Sequence, residues 1–299
     1  VADLIQRCPE AAETPLHDVV SLANDLGVAS VWAKDERNRM GLGSFKALGA
    51  AYVIAHDAKA GRAKGRTYVT ASAGNHGMSV AAGASAFGAS AVVYIAESVP
   101  EVFADRLRGL GAQVVREGAI YEDSMAAALK AANDNCWDIL SDTSWPGYYE
   151  RPHRLMEGYL MLMREAIEQV PEVPTHIFLQ AGVGGLAGSC AALARDAWGA
   201  EPTIVVVEPE LAPALVASVK AGKFVTAEGP VSNMGRLDCK EPSLIALKGL
   251  ARDADVFITL TEDEGTVGAD LAQAHGYPSS TSGAAGLAGL ISTKEALAI

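Results

Sequence analysis

Thr67-Tyr68-Val69-Thr70-Ala71-Ser72-Ala73-Gly74-Asn75-His76-Gly77 decides the fold. Residues 67–71 are β-branched, aromatic or small and read as a short buried strand. The run stops at a turn of small and polar residues, and an apolar helical pattern follows over 77–87. A strand running straight into a helix is the opening half of a βαβ unit. Downstream the alternation repeats as strand 91–95, helix 101–110, strand 113–116 and helix 124–133. Residues 148–153 have the turn-rich composition of a crossover, and 156–170 is a long helix. The pattern resumes with strand 175–180, helix 187–198, strand 203–208, helices 210–220 and 243–253, strand 256–260 and a last helix over 282–297. Upstream, 17–26 reads as a helix stopped by Gly27, 30–34 as a strand, and 45–56 as a helix with Ser44 as its N-cap. The whole is an α/β protein with mostly parallel strands.

The chain has 299 residues, enough for one large or two coupled domains, and 49% of them are hydrophobic, enough to bury a sizeable core. No repeat and no low-complexity linker separates the two candidate lobes. The net charge of −12 repels nucleic acid and anionic membranes. An anionic ligand must therefore be held locally, by backbone N–H groups or one placed cation. Cys8, Cys136, Cys190 and Cys239 are far apart and form no CxxC pair, so no metal site is expected and the thiols read as reduced. The chain shows neither a signal-type N-terminus nor an apolar run of the roughly 18 residues a membrane span requires. A cytoplasmic protein is the expectation.

Three places carry chemistry. The strand ending at Gln180 runs into Ala181-Gly182-Val183-Gly184-Gly185-Leu186-Ala187-Gly188 and then a helix. Glycines there let successive N–H groups converge on a phosphate at a helix N-terminus. The spacing fits neither GxGxxG nor GxxxxGK[ST], which points to a single phosphate rather than a dinucleotide or triphosphate. The same loop also reads as a tight turn with no ligand. Ser72-Ala73-Gly74-Asn75-His76 offers a hydroxyl, exposed N–H groups and an amide to a carboxylate or a ring oxygen. It equally reads as a helix cap, and His76 reads as structural rather than catalytic. Lys46 stands on the first turn of an apolar helix, where partial desolvation favours a free amine. Lys34, by contrast, reads as a solvated charge. An amine, a substrate clamp and a phosphate cradle together are what pyridoxal 5′-phosphate requires.

On these residues the chain resembles the fold type II pyridoxal-phosphate enzymes, the group of threonine dehydratase, serine racemase and the tryptophan synthase β-subunit. Gly41-Leu42-Gly43-Ser44-Phe45-Lys46-Ala47-Leu48-Gly49, Gln180 to Gly188 and Ser282-Gly283-Ala284-Ala285-Gly286-Leu287 are most similar to the diaminopropionate ammonia-lyase branch. The matching blocks run in family order from about residue 13 to about 290. The resemblance implies two three-layer lobes with mostly parallel twisted sheets and the cofactor in the cleft. It implies a large cofactor-binding domain of residues 1–46 and 151–299, a small domain of 47–150, and a homodimer. Lys46 is the implied Schiff-base lysine and Asn75 the partner of the pyridine ring oxygen. Gly182, Val183, Gly184, Gly185 and Leu186 are the implied phosphate loop. Ser72, Ala73, Gly74 and His76 fall in the loop that grips the substrate carboxylate.

Two departures shape the functional expectation. The branch has an Asp where this chain has Ala73, and that Asp is associated with the D-isomer and the amino-substituted substrate. Ala73 leaves Lys46 as the only evident base and points to chemistry on one stereoisomer. The expected activity is β-elimination from an L-β-hydroxy amino acid, of serine, threonine or phenylserine type, giving a 2-oxo acid and ammonia. Diaminopropionate ammonia-lyase, β-replacement, and a catalytically silent cofactor-fold binding module are the alternatives. The second departure is that no clear Ser, Thr or Cys for the pyridine nitrogen is found before Ile299. Ser280, Thr281 and Ser282 are weak substitutes. Arg236 and Asp238 are the candidates for charges lining a pocket, against a reading as surface loop charges.

Overall fold

Parallel strands buried on both faces account for most of the architecture. The computed structural model describes residues 1–299. In chain order its elements are α1 (Ala2–Ile5), β1 (Leu16–Asp18), α2 (Val20–Leu26), β2 (Trp32–Lys34), α3 (Lys46–Lys59), β3 (Thr67–Ala71), α4 (Asn75–Ala86), β4 (Ser90–Ile95) and α5 (Glu101–Gly109). Then come β5 (Gln113–Arg116), α6 (Tyr121–Asn135), β6 (Asp138–Ile139), α7 (Glu150–Gln169), β7 (His176–Gln180), α8 (Gly185–Trp198) and β8 (Thr203–Pro209). The chain closes with α9 (Ala214–Ala221), α10 (Leu244–Asp253), β9 (Val256–Leu260), α11 (Glu262–Ala274) and α12 (Ala285–Thr293).

The chain divides into two compact units. The first comprises Val1–Thr14, Asp35–Asp142 and Pro146–Leu162. Its sheet runs β5-β4-β3-β6, every pair parallel. Alternation sorts the strand residues between two faces. Val69, Ala71, Val92 and Tyr94 pack on Ala128, Ala131 and Ala132 of α6. Val93 points the other way, towards α4. The result is an α/β/α sandwich. Arg39 is buried at its edge, where it donates to both carboxylate oxygens of Glu36 at 2.8 Å, to Thr14 Oγ1 and to the Ala12 carbonyl.

The second unit comprises Pro15–Lys34, Thr143–Trp145 and Met163–Ile299. Its sheet runs β7-β8-β9, again parallel. Val205 and Val207 face Ala285 and Ala288 of α12, with Met234 and Leu237 completing that core. A separate antiparallel pair, β1-β2, matches Leu16 with Lys34.

Several sequence expectations need correcting. His17 and Asp18 belong to β1, not a helix, because the ladder with β2 claims their backbone. The crossover read at 148–153 is already α7, which begins at Glu150. The domain limits drawn at 46/47 and 150/151 do not coincide with the compact units. Residues 35–46 and 146–162 pack with the first unit, because α7 lies against α3: a Cβ on Gly158 would meet Leu48 O at 2.5 Å. Lys34 is not solvated. Its ammonium lies 2.8 Å from Glu165, and the two side chains are 9% and 2% exposed.

Candidate active site

The first unit places Lys46, Ser72, Ala73, Gly74, Asn75 and His76 at the ends of elements. Lys46 opens α3, and its backbone N–H donates to Ser44 Oγ at 3.3 Å. The predicted cap is thus displaced by one residue, with Phe45 at the N-cap position. The turn after β3 is tight: a Cβ on Gly77 would sit 2.1 Å from the Ser72 carbonyl oxygen, so only glycine lets α4 start there. Ser72 Oγ accepts from the Gly74 N–H at 3.3 Å, and no side chain caps α4. The first N–H groups of α4 are thereby free to meet a carboxylate. Space around Gly74 is open.

The Lys46 ammonium donates to Asp142 Oδ2 at 2.5 Å. Both side chains are about one-fifth exposed, at 22% and 21%. Burial works to raise the Asp142 pKa, but the Lys46 charge overrides it and holds the carboxyl well below the usual range. Asp142 is a candidate site residue that the sequence alone does not single out. It lies 96 positions from Lys46. Its one local signal was the polar Ser141-Asp142-Thr143-Ser144 run just after β6, at the same strand end as the Ser72 turn.

His76 is buried at 5% exposure, and its Nε2 lies 2.8 Å from the Leu140 carbonyl. A carbonyl only accepts, so Nε2 carries the proton. Burial lowers its pKa, which keeps the ring neutral. Nε2 is therefore committed to Leu140, and Nδ1 has no partner.

The second unit holds the glycine loop. Gly184 is the N-cap of α8 with φ 93°, a conformation suited to glycine, and no side chain caps the helix. The backbone of Arg236 and Leu237 abuts Gly182, where a Cβ would meet Arg236 O at 3.3 Å and Cys239 Sγ at 3.0 Å. A bare backbone at an uncapped helix N-terminus suits one phosphate group. Of the two charges proposed for pocket lining, Arg236 donates to Ser280 Oγ at 3.1 Å, and Asp238 receives Lys240 Nζ at 2.6 Å. Ser282 Oγ accepts the Arg236 N–H at 3.1 Å, and Thr281 donates to the Asn233 carbonyl at 3.0 Å. These hydroxyls knit two loops together.

The first unit offers an amine at a helix start beside a carboxylate and a capless Ser-x-Gly-Asn turn, and the second a capless glycine-rich turn, features suited to a phosphorylated aldehyde cofactor. The chain belongs to the pyridoxal-phosphate dependent enzyme family, whose model matches residues 8–299. It is a pyridoxal-phosphate lyase of amino acids. Diaminopropionate ammonia-lyase of Salmonella typhimurium is 34% identical over 283 residues, covering 85% of this chain and 70% of that protein. The holo crystal structure of diaminopropionate ammonia lyase from Escherichia coli superposes with a TM-score of 0.90 at 30% identity, covering 100% of this chain and 84% of the other. L-threonine ammonia-lyase of Thermotoga maritima is 28% identical over 244 residues, covering 82% of this chain and 58% of that protein.

Proposed function

We propose that this chain eliminates ammonia from L-2,3-diaminopropionate and that water hydrolyses the released product, giving a 2-oxo acid and two molecules of ammonia in all. The observation that carries the reading is the Asp142 carboxylate, 2.5 Å from the Lys46 ammonium. Whenever the Lys46 amine is engaged elsewhere, Asp142 is left half-buried without its cation, which is unfavourable. A substrate with a second ammonium restores the pair, and a β-hydroxyl cannot. The similarity to the Salmonella and Escherichia enzymes supports the same substrate and outweighs the hydroxy amino acid inferred from Ala73. Ala73 retains one consequence. With a methyl group in place of a carboxylate there, no acidic side chain stands in the Ser72–Gly77 turn to take a proton, which favours the L-isomer as the substrate.

Lys46 would carry the cofactor and Asn75 would meet its ring oxygen, and the N–H groups of Gly182 to Leu186 would take its phosphate, as the family resemblance implies. Bound pyridoxal phosphate supplies an aldehyde that captures amines and a ring that accepts electrons. The Ser72–Asn75 turn orients the substrate carboxylate, with Ser72 Oγ and the first N–H groups of α4 as donors. Lys46 Nζ removes the Cα proton, and Asp142 stays anionic to hold the β-ammonium until it leaves as ammonia. The chain works as a cytoplasmic homodimer. The family resemblance supports the dimer, and the wide spacing of the four cysteines suits a reducing compartment. No helix is long and apolar enough to cross a membrane.

The test is 2-oxo acid formation by purified holoenzyme from both isomers of diaminopropionate, serine, threonine and phenylserine. L-2,3-diaminopropionate is expected to give the highest kcat/KM, with two ammonia per oxo acid. A preference for L-serine or phenylserine, with one ammonia per oxo acid, would restore the hydroxy amino acid reading. A cofactor-loaded protein inert to all of them would make it a binding module.

A further inference from the structure

Three buried side-chain atoms lack a hydrogen bond: His56 Nδ1, His76 Nδ1 and Tyr159 Oη. Tyr159 is 1% exposed and is held from several sides. Gly158 lets α7 approach the Leu48 carbonyl of α3, and a Cβ on Gly49 would lie 2.7 Å from Tyr159 Cε1. The Phe45 ring meets the Tyr159 ring edge-on, with centroids 5.0 Å apart. The phenol thus has one position. Lys46 Nζ lies 5.9 Å from the ring centre. The Lys46 ammonium lies near the hydroxyl, outside hydrogen-bonding geometry. Burial pushes the phenol pKa up, with Lys46 opposing and Asp142 assisting, so the hydroxyl stays protonated at neutral pH.

An unpartnered buried hydroxyl is unfavourable, and phenylalanine would fill the same space without that cost. A partner that arrives only in another state of the protein resolves this. The Lys46 amine, on a long side chain with its Nζ 5.9 Å from the ring centre, is the nearby donor that can supply it. We propose that Tyr159 is a positioning residue for the free Lys46 amine, which rests on Lys46 being the cofactor lysine. Asp142 accepts one N–H and the phenol oxygen accepts another. A neutral amine held at both N–H groups has its lone pair fixed in a single direction. A carboxylate alone leaves it free to rotate.

The experiment compares wild type with Tyr159→Phe. It measures kcat and KM on L-2,3-diaminopropionate, and the rate at which the cofactor-stripped full chain captures added pyridoxal phosphate, followed by its visible absorbance. Tyr159→Phe is expected to lower kcat about tenfold with KM within about twofold, and to slow capture by a similar factor. Melting temperature is the control: loss of an unpartnered hydroxyl leaves it unchanged or raises it. Unchanged kcat and capture would overturn the proposal, as would a fall in kcat with normal capture. Lys46→Ala separates this from the parent reading. If Lys46→Ala is inactive and Tyr159→Phe normal, only the role of Tyr159 fails. If Lys46→Ala is fully active, the parent reading fails as well.

Discussion

Asp142→Asn keeps the shape of the side chain and removes its charge, so it separates an ammonium-bearing substrate from a hydroxyl-bearing one. We expect kcat/KM for L-2,3-diaminopropionate to fall roughly tenfold to hundredfold, the loss of about 1.4 to 3 kcal/mol of charge pairing. Turnover of L-serine, if any, should fall less. Equal losses on both would show that Asp142 acts only through Lys46. Lys46, Asn75 and the glycines of 182–188 could be singled out in the sequence because each lies at or beside a helix start, where local spacing carries the signal. Asp142 could not be, because its meaning comes from a contact 96 positions away. Lys34 was misread for a related reason: its partner, Glu165, lies on α7, which no local pattern pairs with β2.

At the scale of elements, the buried Glu208 ties the end of β8 to the start of α9. Its carboxylate accepts from the Leu215 N–H at 2.8 Å and the Val216 N–H at 2.7 Å. Burial pushes its pKa up from 4.5 to about 7, against the pull of those two hydrogen bonds. The folded state then holds a proton that the unfolded chain has released. This contribution to stability is fully present below pH 4.5 and is lost as pH rises through about 7. In Glu208→Gln the amide NH2 faces a backbone N–H, a donor against a donor. We expect a loss of about 1–3 kcal/mol and a flatter stability profile across that window, measured by urea unfolding at several pH values. Most strands and helices follow the sequence pattern because buried parallel strands are short apolar runs. α11 was not anticipated: Gly265 and Gly268 lower its helix propensity. Its signal was the capping box, Thr261 with Glu264, in which the Glu264 N–H donates to Thr261 Oγ1 at 3.2 Å. β6 is two residues long and leaves no periodicity to detect.

For the molecule as a whole, a net charge of −12 gives no general attraction for a phosphorylated cofactor or an amino acid carboxylate. In the proposed function, recognition is left to local devices, the capless helix starts of α4 and α8 and the amine of Lys46. The α/β class and the parallel order could be read from alternation alone. The limits of the compact units could not, since α7 spans the division at Leu162 and packs by its face rather than by its place in the chain. All of the proposed chemistry converges on one amine, so the most direct measurement is oxo acid and ammonia release from L-2,3-diaminopropionate by wild-type and Lys46→Ala holoprotein preparations at equal concentration. Wild type is expected to release two ammonia per oxo acid, and Lys46→Ala to lose at least about a thousandfold in rate. Turnover by Lys46→Ala at the wild-type rate would contradict this expectation.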